Sequence, residues 1–563
     1  MLAWDGTSPQ ILVSHLGYGT AASKAVVAVA PSEVLSATLV GGPGTAIALE
    51  PGGIERVPGW SGGPYVRIPL PLDVAEGTYV VEARTEQGEF SSAPFVIGPQ
   101  RVQRQTMSDV LAYFKAMRSS GEIDRKDRAA KFWGDESGAT VDARGGWLDA
   151  SGDTSKFLSH LTYTSTMSPQ QIPLCAWAML AARDEIHPSL ERMLSARLRD
   201  EALWGADFLM RFRSPEGYFY TGIFDALTKN LEERVITAPL QNSVRTSRYQ
   251  AGYRQGGGLA IAALARASTV DADGEFSRAQ YLEAAQAGLE HLEKHNLEYL
   301  FDGTESVLDD YTALLAATEL VIAGVNAVEA ARRRAASLIA RYVVPDTGPG
   351  WFRADEAGRP YFHAAEPGLP ILALLRFADA LPDAPEAERA REIALRAMLD
   401  IVQRTDSVPN PFGYPRALVQ PLDAEPRESF FFPHANETGY WWQGENAAIA
   451  SLSTAASACA RSAKNPADRE RLTTFADDQL AWVTGRNPFD VCMLQGRGRN
   501  NPDYASDFPN FPGGIVNGIT AGWTDEQDVA FLPPDAPDGD EWRWAEQWIP
   551  HTAWFLLATA SAR

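Results

Sequence analysis

The sequence predicts a mainly α protein, an (α/α)6 barrel preceded by a small β-sandwich. Three observations point there. Residues 1 to about 98 read as short strands, everything after Pro99 reads as helix, and long irregular loops follow alternate helices. Six helical hairpins closed into a toroid would gather such loops at one end. A longer irregular bundle is the alternative that helix counting does not separate.

The N-terminal segments ILVSHLGY, AVVAVA, ATLVGG, YVRIPLPL, GTYVVEAR and SSAPFVIG are rich in β-branched residues and divided by Gly/Pro turns. That spacing suits a sandwich. Apolar periodicity and Gly/Pro breaks then mark twelve helical segments. They lie near 103–119, 170–184, 189–213, 250–269, 277–296, 305–322, 326–342, 368–381, 385–404, 442–463, 466–485 and 545–562. The gaps at about 120–169, 214–249, 343–367, 405–441 and 486–544 are long, and long loops in a compact domain are usually functional. The expected division is therefore 1–98 and 99–563.

The chain of 563 residues is too long for one ordinary core. Its 50 basic and 72 acidic residues leave a net charge of -22, which repels nucleic acid and anionic membranes. Cys175, Cys459 and Cys492 are odd in number and far apart, and read as buried packing. The start shows no basic-then-apolar leader, and no apolar run approaches the roughly 18 residues of a membrane span. A cytoplasmic location is expected, or a secreted one if a leader has been removed.

In 145-GGWLDASGDTSKF-157, two aspartates stand four positions apart after Trp147, with Lys156 as the one base in the stretch. Three readings compete. A turn bonding its own backbone is one. A calcium loop begins well with Asp149, Ser151 and Asp153 but fails at Thr154 and His160. The third is half of a catalytic site. Inverting glycoside hydrolysis needs a carboxylate base and a protonated acid about 6.5–9.5 Å apart, with a water between. A second aspartate beside the base can hold that water.

A partner acid stands near the far end, in 540-DEWRWAEQWIPHTAWFLL-557, where Glu546 is flanked by Trp544 and Trp548. Lost hydration among tryptophans favours the protonated carboxyl a general acid requires. A first-turn glutamate complementing the helix dipole is the plainer reading. The block 429-SFFFPHANETGYWWQGENAA-448 sets His434, Glu437, Tyr440, Trp441, Trp442 and Glu445 among phenylalanines and amides. That mixture suits a saccharide subsite better than a core. Tyr220, in 217-GYFYTGIFDALTKN-230, with Arg245 and Arg248 following, reads equally as substrate wall or packing.

These stretches together resemble glycoside hydrolase family 9. GGWLDASGDTSKF is similar to its GGWxDAGDxxKF signature, RYQAGYRQGGGLAIAALARAS to a barrel helix, and GGIVNGITAGWTDEQD with the final Trp-Ala-Glu to its C-terminal region. The N-terminal strands resemble the immunoglobulin-like module that often precedes the family's barrel. The resemblance implies inverting cleavage of β-1,4-linked glucan-type chains, with Asp153 as base, Asp149 holding the water and Glu546 as acid. It requires no cofactor and allows a structural calcium, for which no loop here specifies a site. Three features depart from the pattern. DASGD is one residue longer than DAGD, Ala545 replaces an asparagine before the acid, and no HHR-like stretch follows 485-GRNPFDVCM-493, although Arg497 and Arg499 stand nearby.

The departures resemble a subgroup of exo-acting β-glucosidase and exo-β-glucosaminidase enzymes. The expected partner is a β-linked oligosaccharide, cello- or chitosan-type, taken from one end. Trp147, Tyr220, His434, Glu437, Tyr440, Trp441, Trp442, Glu445, Trp544 and Trp548 are the candidate sugar contacts; Glu437 or Glu445 is the candidate partner of a 2-ammonium group, the plainer alternative being that both bond hydroxyls or brace loops. An endo-β-1,4-glucanase and a catalytically silent carbohydrate-binding protein are the alternatives. Oligomeric state is left open.

Overall fold

The computed structural model describes residues 9–44, 46–504 and 509–562. The first eight residues of the expected 1–98 unit and the last of 99–563 therefore lie outside the described residues.

Ten strands come first: β1 (Gln10–Leu12), β2 (Tyr18–Gly19), β3 (Lys24–Val29), β4 (Ser36–Gly41), β5 (Ile47–Leu49), β6 (Ile54–Glu55), β7 (Tyr65–Leu70), β8 (Gly77–Thr85), β9 (Gly88–Ser91) and β10 (Phe95–Gly98). They make one sheet in the order β1-β3-β7-β6 and another in the order β2-β10-β8-β4-β5, with β9 on β8. Side chains alternate across a strand. Val26 and Ala28 of β3 therefore meet Leu39, Val81 and Phe95 of the other sheet, forming the core of a sandwich. Val27 and Val29 face the other way, into the core of the helical body. The unbroken apolar run of β3 is explained by burial on both faces.

Among the described residues fourteen helices follow: α1 (Arg101–Ala116), α2 (Gly121–Asp127), α3 (Ile172–Glu185), α4 (Pro188–Arg211), α5 (Gly258–Ala267), α6 (Arg278–Tyr299), α7 (Val307–Ile322), α8 (Val328–Ala340), α9 (Leu369–Ala380), α10 (Ala387–Thr405), α11 (Asn446–Ser462), α12 (Pro466–Val483), α13 (Trp542–Ala545) and α14 (Ile549–Ser561). Helices α3, α5, α7, α9, α11 and α14 close an inner ring, each packed on the next and α14 back on α3. Outside them lie α4, α6, α8, α10, α12 and α1 as hairpin partners, the arrangement of an (α/α)6 barrel. The inner helices are buried over most of their surface, and α5 and α14 are buried at every position. Outer α8 buries one stripe only, Ala331, Arg334, Ala335 and Leu338.

All twelve expected segments contain a helix; three begin four or more residues late, at Gly258, Asn446 and Ile549, the first and last for evident local reasons. Near 250 the chain runs through an irregular turn at Tyr253–Gly257, with Gly256 at φ 98, before α5 starts. At the C-terminus Pro550 occupies the first turn of α14, where its missing N–H costs nothing. Glu546 thus stays outside that helix, in extended backbone.

The sandwich is bound into the barrel. Arg486, fully buried, pairs with Asp478 at 2.5 Å and donates to the Ala25 carbonyl at 3.2 Å. Arg67 of β7 reaches the same Asp478 at 2.9 Å. Trp60 lies against Phe412, Phe430, Phe431 and Trp482. Among the described residues no helix is long and apolar enough to cross a membrane.

Candidate active site

The loop carrying the two aspartates is fixed by its own backbone. Ala150 and Asp153 exchange both backbone hydrogen bonds, each at 3.2 Å, leaving Ser151 and Gly152 as the tip of a tight turn. The residue by which DASGD exceeds DAGD is absorbed at that tip, so Asp153 returns beside Ala150. Asp149 N donates to Ser155 O at 2.9 Å, and Ser155 N donates to Asp153 Oδ1 at 2.8 Å. Lys156 turns away and pairs with Asp127 at 2.7 Å, so it neutralises neither aspartate.

The second segment is stitched to this turn. Ala150 and Trp548 form an antiparallel bridge, and Ile549 N donates to Asp149 O at 3.1 Å. Trp542 and Glu546 stand one helical turn apart across α13 and both face the cleft. Gly152 N donates to Glu546 Oε1 at 3.2 Å. A Cβ at Gly152 would lie 2.8 Å from that oxygen, so any larger residue there would push the Glu546 carboxyl aside.

Asp149, Asp153 and Glu546 line one cleft of about 780 Å³, with Phe157, His160, Phe224, Tyr440, Trp441, Gln443, Tyr504, Trp542 and Trp548. Asp149 accepts from Gln171 Nε2, and from Trp548 Nε1 at 3.2 Å to each oxygen. Burial, then the charges of Asp153 and Glu546, push its carboxyl well above the usual range. Asp153 is raised by burial and by Asp225, against the Ser155 bonds that oppose the rise. Burial and the Asp153 charge push Glu546 up to about 8. Its protonated form is therefore the favoured one at neutral pH. One carboxyl bonded at both oxygens, a second carboxyl in the same turn and a third with a raised pKa are the kinds of group that two-carboxylate hydrolysis uses.

Of the expected sugar contacts, Tyr440, Trp441 and Trp548 line the cleft. The others do not. Trp147 is fully buried, donates to Glu201 at 3.0 Å and anchors the aspartate loop on α4. Tyr220 packs among Phe132, Phe212 and Tyr249. Trp544, two positions from Trp542, falls on the opposite face of α13 and is fully buried against Trp442. Trp442 stacks on His434 at 3.8 Å, a layer behind the cleft. Glu437 accepts from Ser165 N at 3.2 Å and from Thr166 Oγ1 at 2.8 Å, so it braces a loop. Glu445 is buried, pushed up to about 8, and bonded to Phe432 N and Thr520 Oγ1. Neither glutamate is placed to meet a 2-ammonium group.

Arg245 pairs with Glu233 and lies over Trp133, while Arg248 lies over Phe301. Arg497 and Arg499 pair with Asp109 and Asp490. In the calcium-like loop, the Ser151 hydroxyl is taken by protein partners. Among the described residues no group of three His, Cys, Asp or Glu side chains is placed to hold a metal ion. Tyr504 lines the cleft but lies in none of the motifs quoted from the sequence, and His160 figured there only as a failed calcium position. Trp542, inside the quoted C-terminal stretch, was accessible from its i,i+4 relation to Glu546.

A model of glycosyl hydrolase family 9 matches residues 104–507. The chain belongs to that family and is a glycosyl hydrolase. Asp149 and Asp153 fall inside the matched stretch; Glu546 lies beyond it and is brought in by geometry. Among solved structures, a metagenome-derived glycoside hydrolase family 9 endoglucanase is similar at TM-score 0.65 and 19% identity, over 98% of each chain. A Bacteroides ovatus GH9 protein follows at 0.64 and 16%, again over 98% of each. Endoglucanase CelQ from Clostridium thermocellum, complexed with cellotriose, is similar at 0.50 and 17%, over 81% of this chain and 69% of that one. These likenesses concern the fold. No match was found among curated proteins.

Proposed function

We propose that this glycosyl hydrolase removes sugars from one end of β-1,4-linked, gluco-configured oligosaccharides, with inversion. In the reaction, Asp153 takes a proton from a water that Asp149 also holds. The water oxygen bonds C1 from the face opposite the leaving group. Glu546 gives its proton to the glycosidic oxygen as the C1–O bond breaks, and the product is the α-anomer. The groups required are the protein's own, so the step calls for no cofactor.

Exo action is supported by one observation, three loops tied together into a wall on one side of the cleft. Gln241 Nε2 and Tyr163 Oη both donate to the Thr438 carbonyl, the latter at 3.0 Å. Glu437 pins the same segment to residues 165–166. Neighbours of these contacts, Leu240, Ser243, Tyr440 and Trp441, line the cleft. An endo-β-1,4-glucanase is the second reading, favoured by the endoglucanase names of the structural neighbours. We further read residues 1–98 as an immunoglobulin-like brace for a barrel of 99–563. The three buried thiols fit a reducing, cytoplasmic setting, and the acidic charge disfavours nucleic acid and membranes as partners.

Reducing-end-labelled tetramers of β-1,4-glucose and β-1,4-glucosamine test the reading. Early monosaccharide release from one of them is expected and names the C2 group. Dimers from the middle would establish the endo reading, and no cleavage of either would remove this substrate class.

A further inference from the structure

We infer that Ser151 is a positioning residue, holding the general acid in register with the base loop, an inference that rests on the catalytic roles just proposed. Ser151 is 1% exposed at the tip of the turn. Its N–H donates to Gln547 O at 2.9 Å, and its hydroxyl accepts from Gln547 N at 2.9 Å. The same hydroxyl donates to Asn510 Oδ1 at 2.8 Å, and Asn510 Nδ2 donates onward to Ala545 O at 2.8 Å. The residues on both sides of Glu546 are thus tied, directly or through Asn510, to one serine between the two aspartates.

The hydroxyl makes one donor bond and one acceptor bond, so the buried serine has a fixed orientation. Alanine would leave the buried Gln547 N without its acceptor and the half-buried Asn510 Oδ1 without its donor, and the segment would shift to find others. The base loop does not depend on this hydroxyl. Asp149 and Asp153 are held by the Ala150–Asp153 exchange, by Ser155, by Gln171 and by Trp548 Nε1. The backbone bonds Ser151 N to Gln547 O and Ile549 N to Asp149 O also join the two segments; what the hydroxyl adds is a side-chain hold on both neighbours of Glu546, next to the approach of Gly152 N to Glu546 Oε1. Displacement of a catalytic group by about 1 Å can cost on the order of 100-fold in rate. The residue added at the tip of the turn is therefore a tether for the acid.

The test compares Ser151→Ala, Ser151→Thr and Glu546→Gln on two substrates. One is the tetramer the wild-type protein cleaves; the other is the dinitrophenyl glycoside of the sugar it releases, whose leaving group departs with little protonation. Ser151→Ala should lower kcat/KM on the tetramer by about 30- to 100-fold and on the dinitrophenyl glycoside by less than about threefold. Ser151→Thr, which keeps the hydroxyl, should restore most of the loss. Equal losses on both substrates, or no loss, would overturn the inference, because a purely structural serine does not change their ratio. Glu546→Gln is the control on the catalytic roles. If it fails to discriminate between the substrates, the acid assignment itself falls; if it discriminates and Ser151→Ala does not, the tether alone falls.

Discussion

Gly152 N lies 3.2 Å from Glu546 Oε1, joining a turn near the start of the barrel to a segment at its end. Glu546 lines a cleft of aromatic rings, where burial and the Asp153 charge push its carboxyl up to about 8. Two residues almost four hundred positions apart are made one site by the closure of α14 on α3.

Replacing that acid should be severe and selective. Glu546→Gln keeps shape and hydrogen bonding but cannot deliver a proton, so kcat on the tetramer should fall by about 10²–10⁴. Isothermal titration with the same tetramer should show binding within a few-fold of wild type. Unchanged hydrolysis would remove Glu546 from the chemistry.

The pH profile follows from the same groups. Activity needs Glu546 protonated, so the alkaline limb should fall through about 8. It also needs Asp153 ionised, and burial raises that carboxyl, so the acid limb should lie above the ordinary carboxylate range. Glu546→Gln should abolish the alkaline limb in whatever activity remains, measured on the dinitrophenyl glycoside.

The two aspartates should not be equivalent. Both Asp149 oxygens accept from Trp548, and one also accepts from Gln171, whereas one oxygen of Asp153 is bonded to Ser155. Asp153→Asn should abolish turnover, and Asp149→Asn should leave a measurable remainder. Single-turnover rates on the tetramer decide this, and the reverse order would move the base to Asp149.

The cleft wall should set the product pattern. Gly439 sits at φ 80, and a Cβ there would lie 2.2 Å from Gln241 Nε2. Gly439→Ala should therefore displace Gln241 from Thr438 and open the wall. Internal cleavage products should rise relative to monosaccharide in a timed tetramer digest.

The sandwich should be integral to stability. Asp478 neutralises both Arg67 and buried Arg486, and stranding a buried charge costs about 3–5 kcal/mol. Asp478→Ala should lower stability by that order in urea denaturation.

The elements legible in the sequence were those set by local periodicity. Twelve helices, the strand-rich start and the DASGD loop could be read because apolar spacing and turn residues are local properties. Aromatic residues were harder, since sequence does not say which face of a segment meets solvent. Trp542 and Trp544 differ by two positions on α13, and one lines the cleft while the other is core. Phe430 and Phe431 look like sugar platforms in sequence but pack against Trp60 of the sandwich, a contact between segments about 370 residues apart. Glu437 and Glu445 were similarly open, because their partners come from other loops.

The most direct test of two-carboxylate inversion is proton NMR of a fresh digest, recorded before mutarotation. The account predicts that the α-anomer of the new reducing end appears first and then relaxes toward the equilibrium mixture. A β-anomer appearing first would mean retention, and would contradict the assignment of Asp153 and Glu546 as a base and acid with a water between them.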